Sequence, residues 1–433
     1  MVLVRAANII CSLQKQTGSL ILHGMKRTAE SLLQSYLETF PCVAVLGVRQ
    51  CGKTTLLQTL PAGWKQFDVE RRADHAIIAR DPDAFFRLNP RHVALDEAQQ
   101  LPEIFPALRV AIDEQRGEKG RFVVTGSSSP SLVRSVSESL AGRVGIIELS
   151  PLSWEEVAGT VGRDSLLSRL LDRAASPADL IAGLMPRGTP AEAQDYWFRG
   201  GFPEPWLEPK PTFRSRWIEQ YIQTYILRDV KRLFPALDDI RFRRFLEMLG
   251  GLSGRILNYA ELARALGVSQ PTARDYLDIA HGTFVWRTIP AFSRNVVKRV
   301  VKHPRGYLRD TGLLHALLRI PDSNALLSHP QVGASWEGMV VEEVMRQFAG
   351  MGEPVEASYY RTSGGAEVDL VVEGNFGGVA FEIKHASVVS TRDLRALRDF
   401  VREQGMRLGV VVNNDAVPRQ YDDLLVGIPF AWL

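Results

Sequence analysis

Gly47-Val48-Arg49-Gln50-Cys51-Gly52-Lys53-Thr54 follows directly on the apolar run Val43-Ala44-Val45-Leu46. The two glycines, the lysine and the threonine have the G-x-x-x-x-G-K-[ST] spacing of a phosphate-binding loop. Glycines let backbone N–H groups turn inward around phosphate oxygens, and the start of the following helix adds its dipole. Gly47 to Thr55, with Val48, Arg49, Gln50, Cys51 and Gly52 between, therefore read as a nucleotide-binding stretch. Lys53 would reach the β- and γ-phosphates of ATP. Thr54 would hold Mg²⁺ through its hydroxyl, and Thr55 opens an apolar helical turn with Leu56, Leu57 and Leu60.

Four further strand-like runs follow, near Gln66–Val69, His92–Leu95, Arg121–Val124 and Gly145–Leu149. Helical or loop stretches alternate with them, which predicts a parallel α/β sheet. The third run ends in Asp96-Glu97, two carboxylates delivered at a strand's C-terminal edge. Asp96 would support the Mg²⁺ shell and Glu97 would orient or activate the attacking water. The fourth ends in Thr125-Gly126-Ser127-Ser128-Ser129, hydroxyls placed to sense a γ-phosphate, with Ser127 taken as the candidate. Arg143, before the fifth run, is a candidate arginine finger for its own or a neighbouring subunit's nucleotide.

A chain of 433 residues exceeds the size of a single core, so two to four domains are expected. With 45% hydrophobic and 23% charged residues its composition is that of a globular protein. A net charge of +3 is too small to argue for nucleic acid by itself. Cys11, Cys42 and Cys51 are widely separated and lack histidine partners, which suggests neither disulfides nor a zinc site. No apolar run is long enough to cross a bilayer, so a soluble, cytoplasmic protein without a membrane partner is expected. Residues 1–24 read as an N-terminal extension.

The set Gly47–Thr55, Leu95-Asp96-Glu97-Ala98-Gln99, Thr125–Ser128, Leu140–Arg143 and Leu149–Ser153 resembles the prokaryotic AAA-type ATPases of the extended AAA+/STAND group. Gly200–Glu204 and Tyr225–Val230 extend the resemblance, which runs from about Met25 to the end. It implies an ATPase with a C-terminal domain of unknown function related to restriction endonucleases. The resulting fold expectation is α/β and multidomain. A P-loop NTPase core with a parallel sheet spans 25–160, a helical lid 161–245, a winged helix-turn-helix 246–305, and a PD-(D/E)xK-like α/β domain 306–433.

The third of these rests on Tyr259–Leu266, then Gly267-Val268, then a second helix capped by Ser269 with Pro271 in its first turn. Gln270, Thr272 and Arg274 would meet a DNA groove, with Arg294, Lys298, Arg299, Lys302 and Arg305 available to phosphates. DNA is thus the expected partner, and a homo-oligomer is left open. In the last domain, Glu367–Val372 and Val379–Lys384 read as a hairpin. Glu382 and Lys384 share a strand face, and Asp369 can join them. That is the ligand logic of a D…E-x-K nuclease: Asp369 and Glu382 on Mg²⁺, Lys384 on the water. The resemblance implies Glu337 as the upstream helical ligand, with Glu342 as the fallback. The alternative function is a nucleotide-switched signalling or scaffold ATPase whose C-terminal domain is a binding platform.

Overall fold

The computed structural model describes residues 25–127, 138–208, 210–230, 234, 237–294, 303–362, 364–390 and 392–433, with the backbone alone at 211, 226–229 and 239. The extension 1–24, Ser128 and Ser129, the side chains of Arg228 and Asp229, and Lys298, Arg299 and Lys302 lie outside this description. The chain forms two compact units. One runs to Leu152 and includes Phe202–Trp217; the other comprises Ser153–Gly201 and Ile218–Leu433. The segment expected as a lid, 161–245, is shared between them.

In the first unit, helix α1 (Thr28–Thr39) leads into strand β1 (Cys42–Gly47), the loop, and the short helix α2 (Lys53–Leu57). Strands β2 (Lys65–Asp68), β3 (Val93–Asp96), β4 (Phe122–Ser127) and β5 (Val144–Leu149) follow, with α3 (Ile104–Glu114) between β3 and β4. All pair in parallel, in the order β2-β3-β4-β1-β5. Every residue of β1 is buried, as a central strand covered on both faces requires. The order places β4 between β1 and β3, so the C-terminal ends of these three strands share one edge. That edge is where open α/β sheets bind ligands.

Two glycines shape the loop for steric reasons. A Cβ on Gly47 would lie 2.2 Å from the Leu149 carbonyl oxygen of the neighbouring β5. Gly52 has φ of 102°, a left-handed conformation that disfavours any Cβ.

The second unit contains two further sheets. Helices α4 (Pro190–Arg199), α5 (Tyr259–Leu266) and α6 (Gln270–Gly282) precede strands β7 (Trp286–Ile289) and β8 (Arg305–Leu308), which pair antiparallel; β6 (Arg255–Ile256) pairs with the other side of β8. The turn between α5 and α6 forms as its sequence indicates. Asn258 caps α5, Gly267 ends it in a left-handed conformation, and the Ser269 hydroxyl accepts from the Thr272 amide at 3.3 Å. After α7 (Thr311–Leu317) and the long α8 (Val332–Gly350) come β9 (Glu356–Arg361), β10 (Glu367–Gly374), β11 (Gly377–Ile383), α9 (Asp393–Gln404), β12 (Leu408–Asn413), β13 (Arg419–Gln420) and β14 (Leu425–Pro429). The mixed sheet runs β13-β14-β12-β11-β10-β9, antiparallel through β9, β10 and β11 and parallel from β11 to β12 and β14. Its apolar face packs on α9 through Leu394, Leu397, Phe400 and Val401. Among the described residues, no helix is long and apolar enough to cross a membrane.

Candidate nucleotide site and a second acidic cluster

The shared edge of β1, β3 and β4 brings the expected nucleotide residues together. Lys53 is buried, and its ammonium donates to the carbonyls of Gly47 (3.2 Å) and Val48 (3.1 Å) and to Ser127 Oγ (3.5 Å). The Thr54 hydroxyl donates to Asp96 Oδ2 at 2.6 Å. Thr125 donates to the other Asp96 oxygen, and its own oxygen accepts from the Glu97 amide at 3.3 Å. Glu97 accepts from the Ser127 amide (3.4 Å) and hydroxyl (3.3 Å), and from the Gln99 side chain. Its φ of 55° is left-handed, an unusual state for a non-glycine residue, and it turns the chain from β3 into a short 3₁₀ segment.

The two carboxylates are held in different electrostatic settings. Burial pushes Asp96 upward, opposed by the hydrogen bonds from Thr125 and Thr54. Burial also acts to raise Glu97, but the Lys53 ammonium, the Gln99 amide and the Ser127 N–H outweigh it and hold Glu97 below the usual carboxylate range. Glu97 is therefore an ionised acceptor at neutral pH. Cys51 is fully buried, and that burial pushes its thiol upward, so it is an inert part of the loop wall.

Arg27 also belongs to this assembly, and no motif announced it. It is buried, donating to the carbonyls of Cys51 and Ser150, both at 2.8 Å, and so ties the loop to the end of β5. Thr125 and Gln99 were visible as part of quoted runs, but their roles in holding Asp96 and Glu97 follow only from strand order.

Arg143 is not brought to its own chain's loop. Val144 pairs with Cys42, at the end of the sheet opposite Gly47, and Arg143 makes a forked ion pair with Asp113 of α3 at 2.7 and 2.9 Å. An arginine finger acting on this chain's own nucleotide is inconsistent with that position.

In the second unit the D…E-x-K residues meet where β10 begins and β11 ends, because the hairpin is antiparallel. Asp369 Oδ2 accepts from the Ile383 amide at 2.8 Å, and Lys384 pairs with Glu382 at 2.6 Å. Glu337, on α8, faces the same cluster but accepts from Arg305 at 2.8 Å and from the Tyr307 hydroxyl. Burial and the neighbouring Asp369 raise Glu337 to about 7; burial and Asp369 raise Glu382 to about 7 as well. Among the described residues no group of three His, Cys, Asp or Glu side chains is placed to hold a metal ion. Glu337, Asp369 and Glu382, expected as one ligand set, therefore do not form one in this structure. A guanidinium stands in their way: Arg305 contacts Glu337 and Glu367 and lies 3.7 Å from Asp369. Glu342, the fallback ligand, is held elsewhere by Arg287 and by Arg309 at 3.2 Å.

Three family models match along the chain. Residues 39–158 match the model of an AAA domain, 191–324 that of a domain of unknown function (DUF8612), and 332–433 that of a domain of unknown function (DUF4143). The chain is 36% identical over 389 residues to uncharacterized protein Rv2008c of Mycobacterium tuberculosis and, at the same identity, to uncharacterized protein Mb2031c of Mycobacterium bovis. Each match covers 89% of this chain and 79% of the relative. The chain belongs to their family. This chain is an α/β protein with a five-stranded parallel sheet, and its AAA domain makes it a P-loop ATPase, with the ATP and Mg²⁺ use general to such domains.

Among solved structures, similarity is found to the Walker-type ATPase PABY2304 of Pyrococcus abyssi, at 16% identity and a TM-score of 0.41, covering 68% of this chain and 96% of that one. A Signal Transduction ATPase with Numerous Domains from Pyrococcus horikoshii matches at 11% identity and a TM-score of 0.26, covering 75% and 49%. At such TM-scores these likenesses decide nothing about function.

Proposed function

We propose that this AAA-domain family member is an ATP-hydrolysing, DNA-binding protein whose nucleotide state governs its hold on DNA. The observation that carries the ATPase part is the meeting of Lys53, Thr54, Asp96, Glu97 and Ser127 at one sheet edge. The residues fit a nucleotide with its Mg²⁺. Thr54 and Asp96 would hold the ion, because hydroxyl and carboxylate already lie against each other. The bound ion would neutralise charge on the phosphate oxygens. Lys53, now satisfied by two loop carbonyls, has a buried ammonium ready to exchange them for phosphate oxygens. Glu97, ionised and gripped by Ser127 and Gln99, accepts a proton from the attacking water. Ser127 touches both Lys53 and Glu97, which suits a sensor of the γ-phosphate. Arg143 is retained only as a finger offered to a second copy of the chain.

The DNA part rests on the segment from residue 239 to 308. A helix at Asp239–Leu252, a short strand, two helices joined by a tight turn and an antiparallel pair of strands follow in the order of a winged helix. Gln270 and Arg274 are exposed on the second helix, as groove contact requires. The C-terminal domain we read as PD-(D/E)xK-like, from its helix, three antiparallel strands, helix and parallel strand in sequence. A Mg²⁺ ion does not fit that site as it stands, since Arg305 occupies the space among the carboxylates. This favours nucleic-acid binding over cutting there, and it supports the reading of the tail as a binding platform.

The test is ATP hydrolysis by the full chain, with single-stranded, duplex and branched DNA added in turn and the DNA products run on a gel. Lys53→Ala should abolish nucleotide binding and phosphate release; if both survive, the proposal fails at its root. A rate indifferent to every DNA, with no DNA retained at low salt, would assign the protein to the signalling or scaffold class instead.

A further inference from the structure

Strand β8 delivers two side chains from one face, Arg305 and Tyr307, two residues apart, and both end on Glu337. Arg305 is almost fully buried, its guanidinium stacks over the Tyr359 ring at 4.9 Å, and three carboxylates from α8 and β10 surround it: Glu337, Glu367 and Asp369. Yet β8 belongs to the other sheet, paired with β6 and β7 beside the helix-turn-helix. Glu382, on β11, keeps its Oε2 buried with no hydrogen-bond partner among the described residues.

We infer that Arg305 is the resident cation of this cluster, supplied by the helix-turn-helix sheet in place of a divalent metal ion, so that metal binding and the seating of β8 exclude each other. The physical reason is charge balance. Glu337, Glu367, Asp369 and Glu382 are four buried or half-buried carboxylates, and buried charge is tolerated only when paired. Lys384 pairs directly with Glu382 and only through space with Asp369. Among the described residues Arg305 is the other buried cation in contact with the group, and its planar fork satisfies several oxygens as a single ammonium could not. By linkage, whatever draws β8 away from α8 raises the cluster's affinity for a divalent ion, and a bound ion weakens the seating of β8 to the same degree. A DNA contact on the helix-turn-helix would thereby be read at the carboxylates.

The inference rests on the PD-(D/E)xK-like reading of the domain, and the experiment separates the two. Mn²⁺ bound per full-length chain is counted by electron paramagnetic resonance without nucleotide, in the wild type, Asp369→Asn, Arg305→Met and the double variant. Wild type and Asp369→Asn should bind the same number of ions. Arg305→Met, which keeps an apolar stem against Tyr359, should gain one ion per chain and lose it again with Asp369→Asn. A wild-type ion lost in Asp369→Asn overturns the inference, and so does a folded Arg305→Met that gains none. Should Arg305→Met not fold, the comparison of wild type with Asp369→Asn still decides. If the ion is gained but neither retention nor cleavage of nucleic acid responds to it, the inference stands and the nuclease-like reading of the domain falls.

Discussion

Glu97 is the residue on which the proposed hydrolysis turns, and its backbone shows the cost of placing it. A φ of 55° in a non-glycine residue costs on the order of 1–3 kcal/mol, sustained because the Thr125 hydroxyl takes its amide and Ser127 and Gln99 hold its carboxylate. Glu97→Gln keeps the shape and hydrogen bonding but loses the basic oxygen. Hydrolysis should fall by about 10²–10⁴-fold with nucleotide affinity nearly unchanged, measured as kcat beside a direct Kd. A parallel loss of binding would mean Glu97 serves the loop's structure and not the water. Asp96 and Glu97 were legible as a pair after an apolar strand. The groups that hold each carboxylate in its electrostatic setting were not, since they include Lys53 and Thr125, 43 and 29 positions from Asp96 in the chain.

At the scale of elements, hydrophobic alternation and turn chemistry carried most of the information. Strands β1 to β5 lie within a few residues of their expected positions, β1, β3, β4 and β5 because each is built on an apolar run, whereas β2, Lys65–Asp68, is a half-exposed edge strand with Phe67 as its apolar residue. The two helices of the helix-turn-helix begin and end at Asn258, Gly267 and Ser269, where side-chain oxygens and a left-handed glycine satisfy open backbone groups. Arg274 sits on the exposed side of the second, its guanidinium over the Tyr259 ring at 4.9 Å. Arg274→Ala should weaken duplex binding and make the slope of log K against log salt shallower by about one, checked by fluorescence anisotropy across a salt series. An unchanged slope would remove this helix from the DNA surface. Gly47→Ala should be costly whatever the ligand, because its Cβ would meet the Leu149 carbonyl at 2.2 Å. A loss of roughly 1–3 kcal/mol in thermal unfolding is expected, and full stability would mean the β1–β5 pairing is looser than described.

At the scale of the molecule, the second unit is built around buried ion pairs as well as apolar contacts, and that sets its response to acid. Burial tends to raise Glu342, but Arg287 and Arg309 overcome it and take the carboxyl down to about 2, from an ordinary value of 4.5. A folded-state value below the unfolded one means stability is fully present above about 4.5 and drains away as pH falls toward about 2. Glu342→Gln should destabilise the unit at neutral pH by roughly 3–5 kcal/mol, since the buried Arg309 and the half-buried Arg287 lose their counter-charge. It should also flatten the dependence of the unfolding midpoint on pH within that window. A variant with the wild-type acid profile would show that the pair carries no linkage.

The amino-acid sequence by itself determined the phosphate loop, the strands that flank it, the paired carboxylates after β3 and the turn between two helices. These are local: each is written in neighbouring residues whose backbone preferences and apolar period need no distant partner. Tertiary structure alone decided what neighbours what. Strand order put Ser127 beside Glu97 and sent Arg143 to the far end of the sheet. Packing of one sheet against another element put Arg305 among Glu337, Glu367 and Asp369, where the D…E-x-K pattern and the family resemblance had suggested a metal ion. A carboxylate's role depends on which cation reaches it through space, and that distance is not a property of the sequence interval between them.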